Sequence, residues 1–257
     1  MTMNPLIDNW QGRRVWLIGA STGIGAATAT LMLARGARVA LSARKQASLE
    51  QLAHGAPNAL VLPLDVLDHA ALLAARDAIV AAWGGFDLVV LLAGGYNEMR
   101  ADAIDLAAVD AMIDLNLRAA YLCLDAVVPQ LLKQGVGGIG LVASVAGYGG
   151  LPKALVYGAT KAAVINLTET LYFDLHDKGL AVYQINPGFV DTPLTRNNDF
   201  KMPDLMTPEA AALAMVDGFE KGEFHIHFPK RFTFGLRLAR LLPYRLYFWL
   251  IHKVTGL

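Results

Sequence analysis

The chain has 257 residues, enough for one large domain with a full core. It is 55% hydrophobic with a mean hydropathy of +0.40, and its 22 Lys and Arg balance 22 Asp and Glu. Zero net charge excludes the global basic field of a nucleic-acid-binding protein, a single cysteine excludes an internal disulfide framework, and no apolar run is long enough to predict a membrane-spanning helix.

Residues Met1 to Gln11 are polar and lack the apolar centre of a signal peptide. Cys123 lies in an apolar helical stretch and reads as a buried small hydrophobe rather than a nucleophile. A reducing compartment and a cytoplasmic location are expected.

Arg13 to Gly19 reads as a first strand, running into Gly19-Ala20-Ser21-Thr22-Gly23-Ile24-Gly25 and then a helical pattern from Ala26 to Arg35. A strand, a glycine-rich turn and a helix in that order predict dinucleotide binding. The glycines let the backbone approach a pyrophosphate, and the helix N-terminus offers N–H groups and a positive dipole end. Arg38 to Arg44 is the second strand. At its end, where an NAD enzyme keeps a carboxylate for the ribose, stand Ser42, Ala43 and Arg44. An arginine without an acid favours the 2′-phosphate of NADP, although Arg44 also reads as a solvated loop charge.

Ala59 to Leu64 is the third strand, followed by Asp65-Val66. Asp65 suits either the adenine amino group or the cap of a helix running from about Asp68 to Trp83. Phe86 to Leu92 is the fourth strand, leading into Ala93-Gly94-Gly95, where small residues admit a nicotinamide ribose. A long helical region from Asp102 to Lys133 carries Asn116 among apolar neighbours. An amide there needs a reason, and a bond to the chain beside a neighbouring strand is the simplest one.

The apolar run Gly138 to Ala143 reads as a buried parallel strand ending at Ser144. A hydroxyl at the carboxyl end of such a strand sits where open α/β sheets bind ligands. Tyr157 and Lys161 share a helix face. An ammonium beside a phenol is expected to lower the phenol's pKa and prepare it for proton exchange. Leu180 to Asn186 is a sixth strand, leading to Pro187-Gly188-Phe189-Val190-Asp191-Thr192. The backbone near Val190 and the Thr192 hydroxyl suit a nicotinamide amide. Leu194 to Met206, with Phe200, Met202 and Leu205, suits a lid. Thr207-Pro208 starts a helix, and His225 to Phe228 is the last strand. The His225/His227 pair has no third ligand near it in sequence, so no metal site is expected.

Together the glycine turn, Asn116, Ser144, Tyr157 and Lys161 resemble the short-chain dehydrogenase/reductase family over roughly residues 12–228. Gly19-xxx-Gly23-x-Gly25, Tyr157-xxx-Lys161, the serine thirteen residues before the tyrosine, and Asn186-Pro187-Gly188 with Thr192 match its motifs in order and spacing. One segment departs: the family's Asn-Asn-Ala-Gly after the fourth strand is here Leu91-Leu92-Ala93-Gly94. The resemblance implies a doubly wound parallel sheet (Rossmann fold) of about seven strands in one domain. It also implies that Tyr157 exchanges a proton with a carbonyl or secondary alcohol oxygen. Ser144 would bind that oxygen, Lys161 would tune Tyr157 and bind the nicotinamide ribose, and Asn116 would hold a relay water. A homodimer or homotetramer through the Asn116 and Tyr157 helices is implied as well.

Residues 1–228 are expected to hold both sites and 229–257 to form an extension. Lys230, Arg231, Arg237, Arg240, Arg245 and Lys253 stand in that extension without any acid, among Leu238, Leu241, Leu242, Tyr244, Tyr247, Phe248 and Trp249. Basic, aromatic and amphipathic together predict a helix lying in a membrane interface; packing on the chain's own domain or at a subunit interface explains the pattern too. Phe189, Leu194, Phe200, Met202 and Met206, with Tyr148 and Leu151, suit a hydrophobic substrate, and lid residues packing on the core explain them nearly as well. The rival functions are a non-catalytic NADP-sensing protein and a lipid- or steroid-type reductase at the membrane periphery.

Overall fold

Seven short apolar strands need cover on both faces, and the order of elements supplies it. The computed structural model describes residues 2–196 and 202–256. Strand β1 (Arg14–Ile18), helix α1 (Gly23–Ala34), β2 (Arg38–Ser42), α2 (Gln46–Ala53), β3 (Ala59–Val61), α3 (His69–Trp83) and β4 (Leu88–Leu91) form the first half. Then come α4 (Leu106–Ile113), α5 (Ala119–Gln134), β5 (Gly137–Val142), α6 (Leu155–Leu175), β6 (Leu180–Pro187), α7 (Pro208–Glu220) and β7 (His225–Phe228). All pairings are parallel, in the order β3-β2-β1-β4-β5-β6-β7.

Alternate strand residues feed two cores. Trp16, Ile18, Val89 and Leu91 face α3, α5 and α6, packing with Leu72, Ile79, Val127 and Val164. Val15, Leu17, Leu88 and Val90 face α1, α2 and α7, packing with Met32, Leu49, Met215 and Phe219. The strand order reverses between β1 and β4, so a cleft opens at the carboxyl ends of those two strands.

Three elements differ from the sequence expectation. The single helix expected over 102–133 is two helices joined by a π-helical turn, Asp114–Arg118, with Asn116 at its centre. Helix α2 was not expected, because it is only eight residues long and rests on the core through just Leu49, Leu52 and Ala53. β3 stops at Val61 rather than Leu64. Beyond β7 the chain forms α8 (Lys230–Ala239) and α9 (Tyr244–Thr255), broken as expected at Pro243.

Candidate active site

The glycine turn closes on the switch point. Gly19 has φ +102°, and a Cβ there would stand 2.5 Å from the Ala93 backbone nitrogen. Only glycine lets β1 and the chain after β4 approach so closely. Thr22 is the N-cap of α1 but makes no side-chain cap bond, and the first turn holds no acid. The N–H groups of Gly23, Ile24 and Gly25 thus face the cleft with the helix dipole behind them, a cradle that fits a pyrophosphate. A Cβ on Gly23 would stand 2.8 Å from the Thr192 methyl, so the segment Pro187 to Thr192 borders the same turn. The Thr195 hydroxyl orders that segment by donating to Val190 O at 2.5 Å and accepting from Thr192 N at 3.1 Å.

At the end of β2, Arg44 is exposed and makes no ion pair among the described residues. Ser42 does not present its hydroxyl to the cleft. That hydroxyl is buried and accepts from Trp16 Nε1 at 2.9 Å, while the Ser42 carbonyl accepts from Gly19 N and Ala20 N. Asp65 is exposed and accepts from Leu67 N at 3.0 Å; the cap of α3 is Asp68, which accepts from Ala71 N. Of the two roles open to Asp65 in the sequence, the helix cap therefore falls away. Val66 beside it is buried.

The candidate cluster forms where β4, β5 and β6 end. Asn116, 3% exposed, accepts from Gly95 N at 2.8 Å and donates to Gly95 O at 2.9 Å and Thr160 Oγ1 at 3.2 Å. The expected bond to the chain after a neighbouring strand is thus present, and the π turn provides the aim. A Cβ on Gly94 would lie 3.2 Å from Asn116 Oδ1 and 3.3 Å from Lys161 Nζ. Lys161 donates to Val142 O at 2.9 Å. Ser144 caps a short 3₁₀ turn, its Oγ accepting from Ala146 N at 3.2 Å, which leaves its own proton for another acceptor. Asn186, fully buried, fixes Ser144 by donating to its carbonyl at 2.9 Å.

The electrostatics reverse one expectation. Burial pushes the Tyr157 phenol above its usual value, and the hydrogen bond with Ser144 offsets this only in part. Burial also lowers the Lys161 ammonium to about 8. Spacing predicted a lowered phenol; instead the ammonium sits 5.8 Å from the ring centroid, bonded to Val142, and removal from water dominates both groups.

Two further residues belong here. Tyr96 sets its ring edge against Tyr157, centroids 5.1 Å apart. Thr160 links Asn116 to the Tyr157 carbonyl. Tyr96 follows the glycine pair at a strand's carboxyl end, a position that could have marked it; Thr160 left no sequence signal.

Other expectations resolve elsewhere. Tyr148 turns away from the cluster to meet His225 Nε2 at 2.8 Å, and Leu151 packs on Ala239, Tyr247 and Ile251 of the tail. His227 Nδ1 meets Thr233 Oγ1 at 2.6 Å. Among the described residues no cluster of three His, Cys, Asp or Glu could hold a metal. Cys123 is buried, its thiol pushed up to about 12 by burial. Phe200 and most of the expected lid's centre lie outside the described residues. No helix among those described is long and apolar enough to cross a membrane.

The sequence profile of the family described as short chain dehydrogenase matches residues 13–202. An uncharacterized oxidoreductase of Myxococcus xanthus is 35% identical over 90% of this chain and 93% of its own. One of Staphylococcus epidermidis is 36% identical over 71% and 80%. The structure of a 3-ketoacyl-(acyl-carrier-protein) reductase from Brucella melitensis complexed with NADH superposes with TM-score 0.78 at 25% identity, covering 86% of this chain and 98% of that one. Another from the same organism, described as a ribose-5-phosphate isomerase, gives 0.77 at 27% identity, covering 85% and 92%.

Proposed function

The chain belongs to the short-chain dehydrogenase/reductase family, and on that premise we propose that it moves a hydride between a nicotinamide dinucleotide, NADP in preference to NAD, and the carbonyl or secondary alcohol carbon of a hydrophobic small molecule. The observation that carries the reading is the meeting of Gly94, Asn116 and Lys161 beside the Ser144–Tyr157 pair, next to the open N-terminus of α1.

The α1 N–H groups would bind the pyrophosphate and Arg44 the 2′-phosphate. Ala93, Gly94 and Lys161 would border the nicotinamide ribose. The backbone from Pro187 through Gly188 to Val190, with the Thr192 hydroxyl, would hold the amide. When bound, the nicotinamide supplies or accepts the hydride. The Ser144 hydroxyl would hydrogen-bond the substrate oxygen and so stabilise the charge that develops there. In the reductive direction Tyr157, whose phenol burial pushes above its usual value, would transfer its proton to the same oxygen. Asn116 holds the water that returns protons through Lys161. The reductase from Brucella melitensis was solved with NADH; the preference for NADP rests on Arg44.

Residues 1–228 carry both sites in this reading, with 229–257 as an extension, in a cytoplasmic homodimer or homotetramer. Exposed Tyr121 and Phe173, the latter 82% exposed, support assembly through α5 and α6. A second reading, a lipid- or steroid-type reductase at a membrane periphery, is favoured by the exposed aromatic residues of the tail.

The test is turnover of NADPH and NADH with a panel of aliphatic, aromatic and steroid ketones. Loss of nicotinamide absorbance with at least one hydrophobic ketone, faster with NADPH, is expected. Tight NADPH binding without turnover across the panel would instead make the protein a sensor.

A further inference from the structure

The tail does two things at once. Its inner face packs on the domain: Ala239, Tyr247 and Ile251 form a cluster with Leu151, and the Tyr247 hydroxyl donates to Gly150 O at 2.9 Å. Phe232 lies 5.5 Å from Phe189, ring to ring. The tail therefore rests on both segments that frame the reactive cluster, the one between Ser144 and Tyr157 and the one after β6.

Its outer face has no cover. Phe234 and Leu238 lie one helical turn apart on α8, and Leu241, in the turn that follows it, is 80% exposed. Tyr244, Phe248 and Trp249 continue on α9, Trp249 at 59%. Six of the chain's 22 Lys and Arg stand here against none of its 22 Asp and Glu, so the rest of the chain is net acidic. Arg240 lies over the Tyr244 ring and Lys253 over the Trp249 ring, at 5.7 and 5.0 Å from the centroids. Arg237 and Arg240 also line a notch against Gly147 and Tyr148, between tail and domain.

We propose that α8 and α9 dock this face on an anionic bilayer surface, with the aromatic and leucine side chains in the headgroup boundary and the arginines and lysines on lipid phosphates. Charge decides the occupant. A two-fold contact of tail against tail would bring cation against cation, whereas an anionic surface suits exposed Arg231, Arg245 and Lys253; Lys230 already pairs with Glu223 at 3.0 Å. Docking would leave the tail between the lipid and the Gly149–Leu151 and Gly188–Phe189 rim of the site on which it rests. Its use to the enzyme rests on the hydrophobic-carbonyl reading; the docking itself rests on the tail alone.

The experiment is flotation of the full-length protein with vesicles of phosphatidylcholine alone and of equal parts phosphatidylcholine and phosphatidylglycerol, with size measured in parallel. The protein should float with the second and not the first, and high salt should release it. Each cation removed should weaken binding about fivefold, so Arg245→Gln with Lys253→Gln should lose about 30-fold. Leu241→Glu with Trp249→Glu should abolish flotation while NADPH binding and melting temperature hold. Protein that stays in the aqueous fraction with both vesicles, or variants that float like the parent, would overturn the proposal. So would an oligomer that Leu241→Glu with Trp249→Glu converts to monomer, because a second copy would then cover the face. Flotation without ketone turnover would refute the reading of function and leave the docking intact.

Discussion

Replacing Asn116 with leucine keeps the volume of the side chain and removes its polar atoms. Two bonds to Gly95 and one to Thr160 disappear from a site only 3% exposed. A buried donor or acceptor left unpaired costs about 1–3 kcal/mol. Gly95 is half-buried, so water reaches part of it and the lower end applies to each of its two groups. Thr160 keeps its bond to the Tyr157 carbonyl and adds little. The sum is about 2–3 kcal/mol, which for a domain of this size lowers Tm by roughly 4–12 °C. Circular dichroism melts of the two proteins measure this directly. Thr160→Val, which leaves both Gly95 bonds in place, should shift Tm by less than half as much. Because a Cβ on Gly94 would meet both Asn116 and Lys161, which places the two side chains beside the same backbone, the Asn116→Leu enzyme should also lose turnover at saturating cofactor and substrate. An unchanged Tm would refute the idea that this amide ties the chain after β4 to the α4–α5 junction.

Arg44→Ala should raise KM for NADPH by about 10- to 150-fold, the worth of one charge-assisted phosphate contact, and leave KM for NADH within twofold; steady-state kinetics with the two cofactors checks it. Burial pushes His225 down to about 3 and His227 down to about 4, with Lys230 and Arg237 adding to the effect. Both are therefore neutral when folded, and below about pH 6.5 the unfolded chain binds protons that the folded chain does not. Stability should fall as pH drops from about 6.5 toward 4, and His225→Gln with His227→Gln should flatten that slope in denaturant titrations.

The sheet was legible because strands covered on both faces read as unbroken apolar runs, as in Val15 to Ile18 and Leu88 to Leu91. The glycine turn and the Tyr157–Lys161 pair were legible because spacing alone puts residues on one turn or one helix face. What spacing cannot carry is burial. It named the lysine beside the tyrosine but not the loss of water that raises one group and lowers the other. Nor could it aim side chains: Ser42 turns to Trp16 and Tyr148 to His225 through contacts between segments far apart in the chain. The π turn was hidden because a local widening of a helix leaves its apolar periodicity almost unchanged. Helix α2, eight residues resting on Leu49, Leu52 and Ala53, is too short for its pattern to stand out.

The central claim is that the Tyr157 hydroxyl gives its proton to a carbonyl oxygen held by Ser144. Single-turnover reduction of a ketone by the Tyr157→Phe protein, preloaded with NADPH, measures it most directly. The rate should fall about a hundredfold or more, with NADPH affinity and Tm preserved. A Tyr157→Phe enzyme that reduces the ketone as fast as its parent would contradict it.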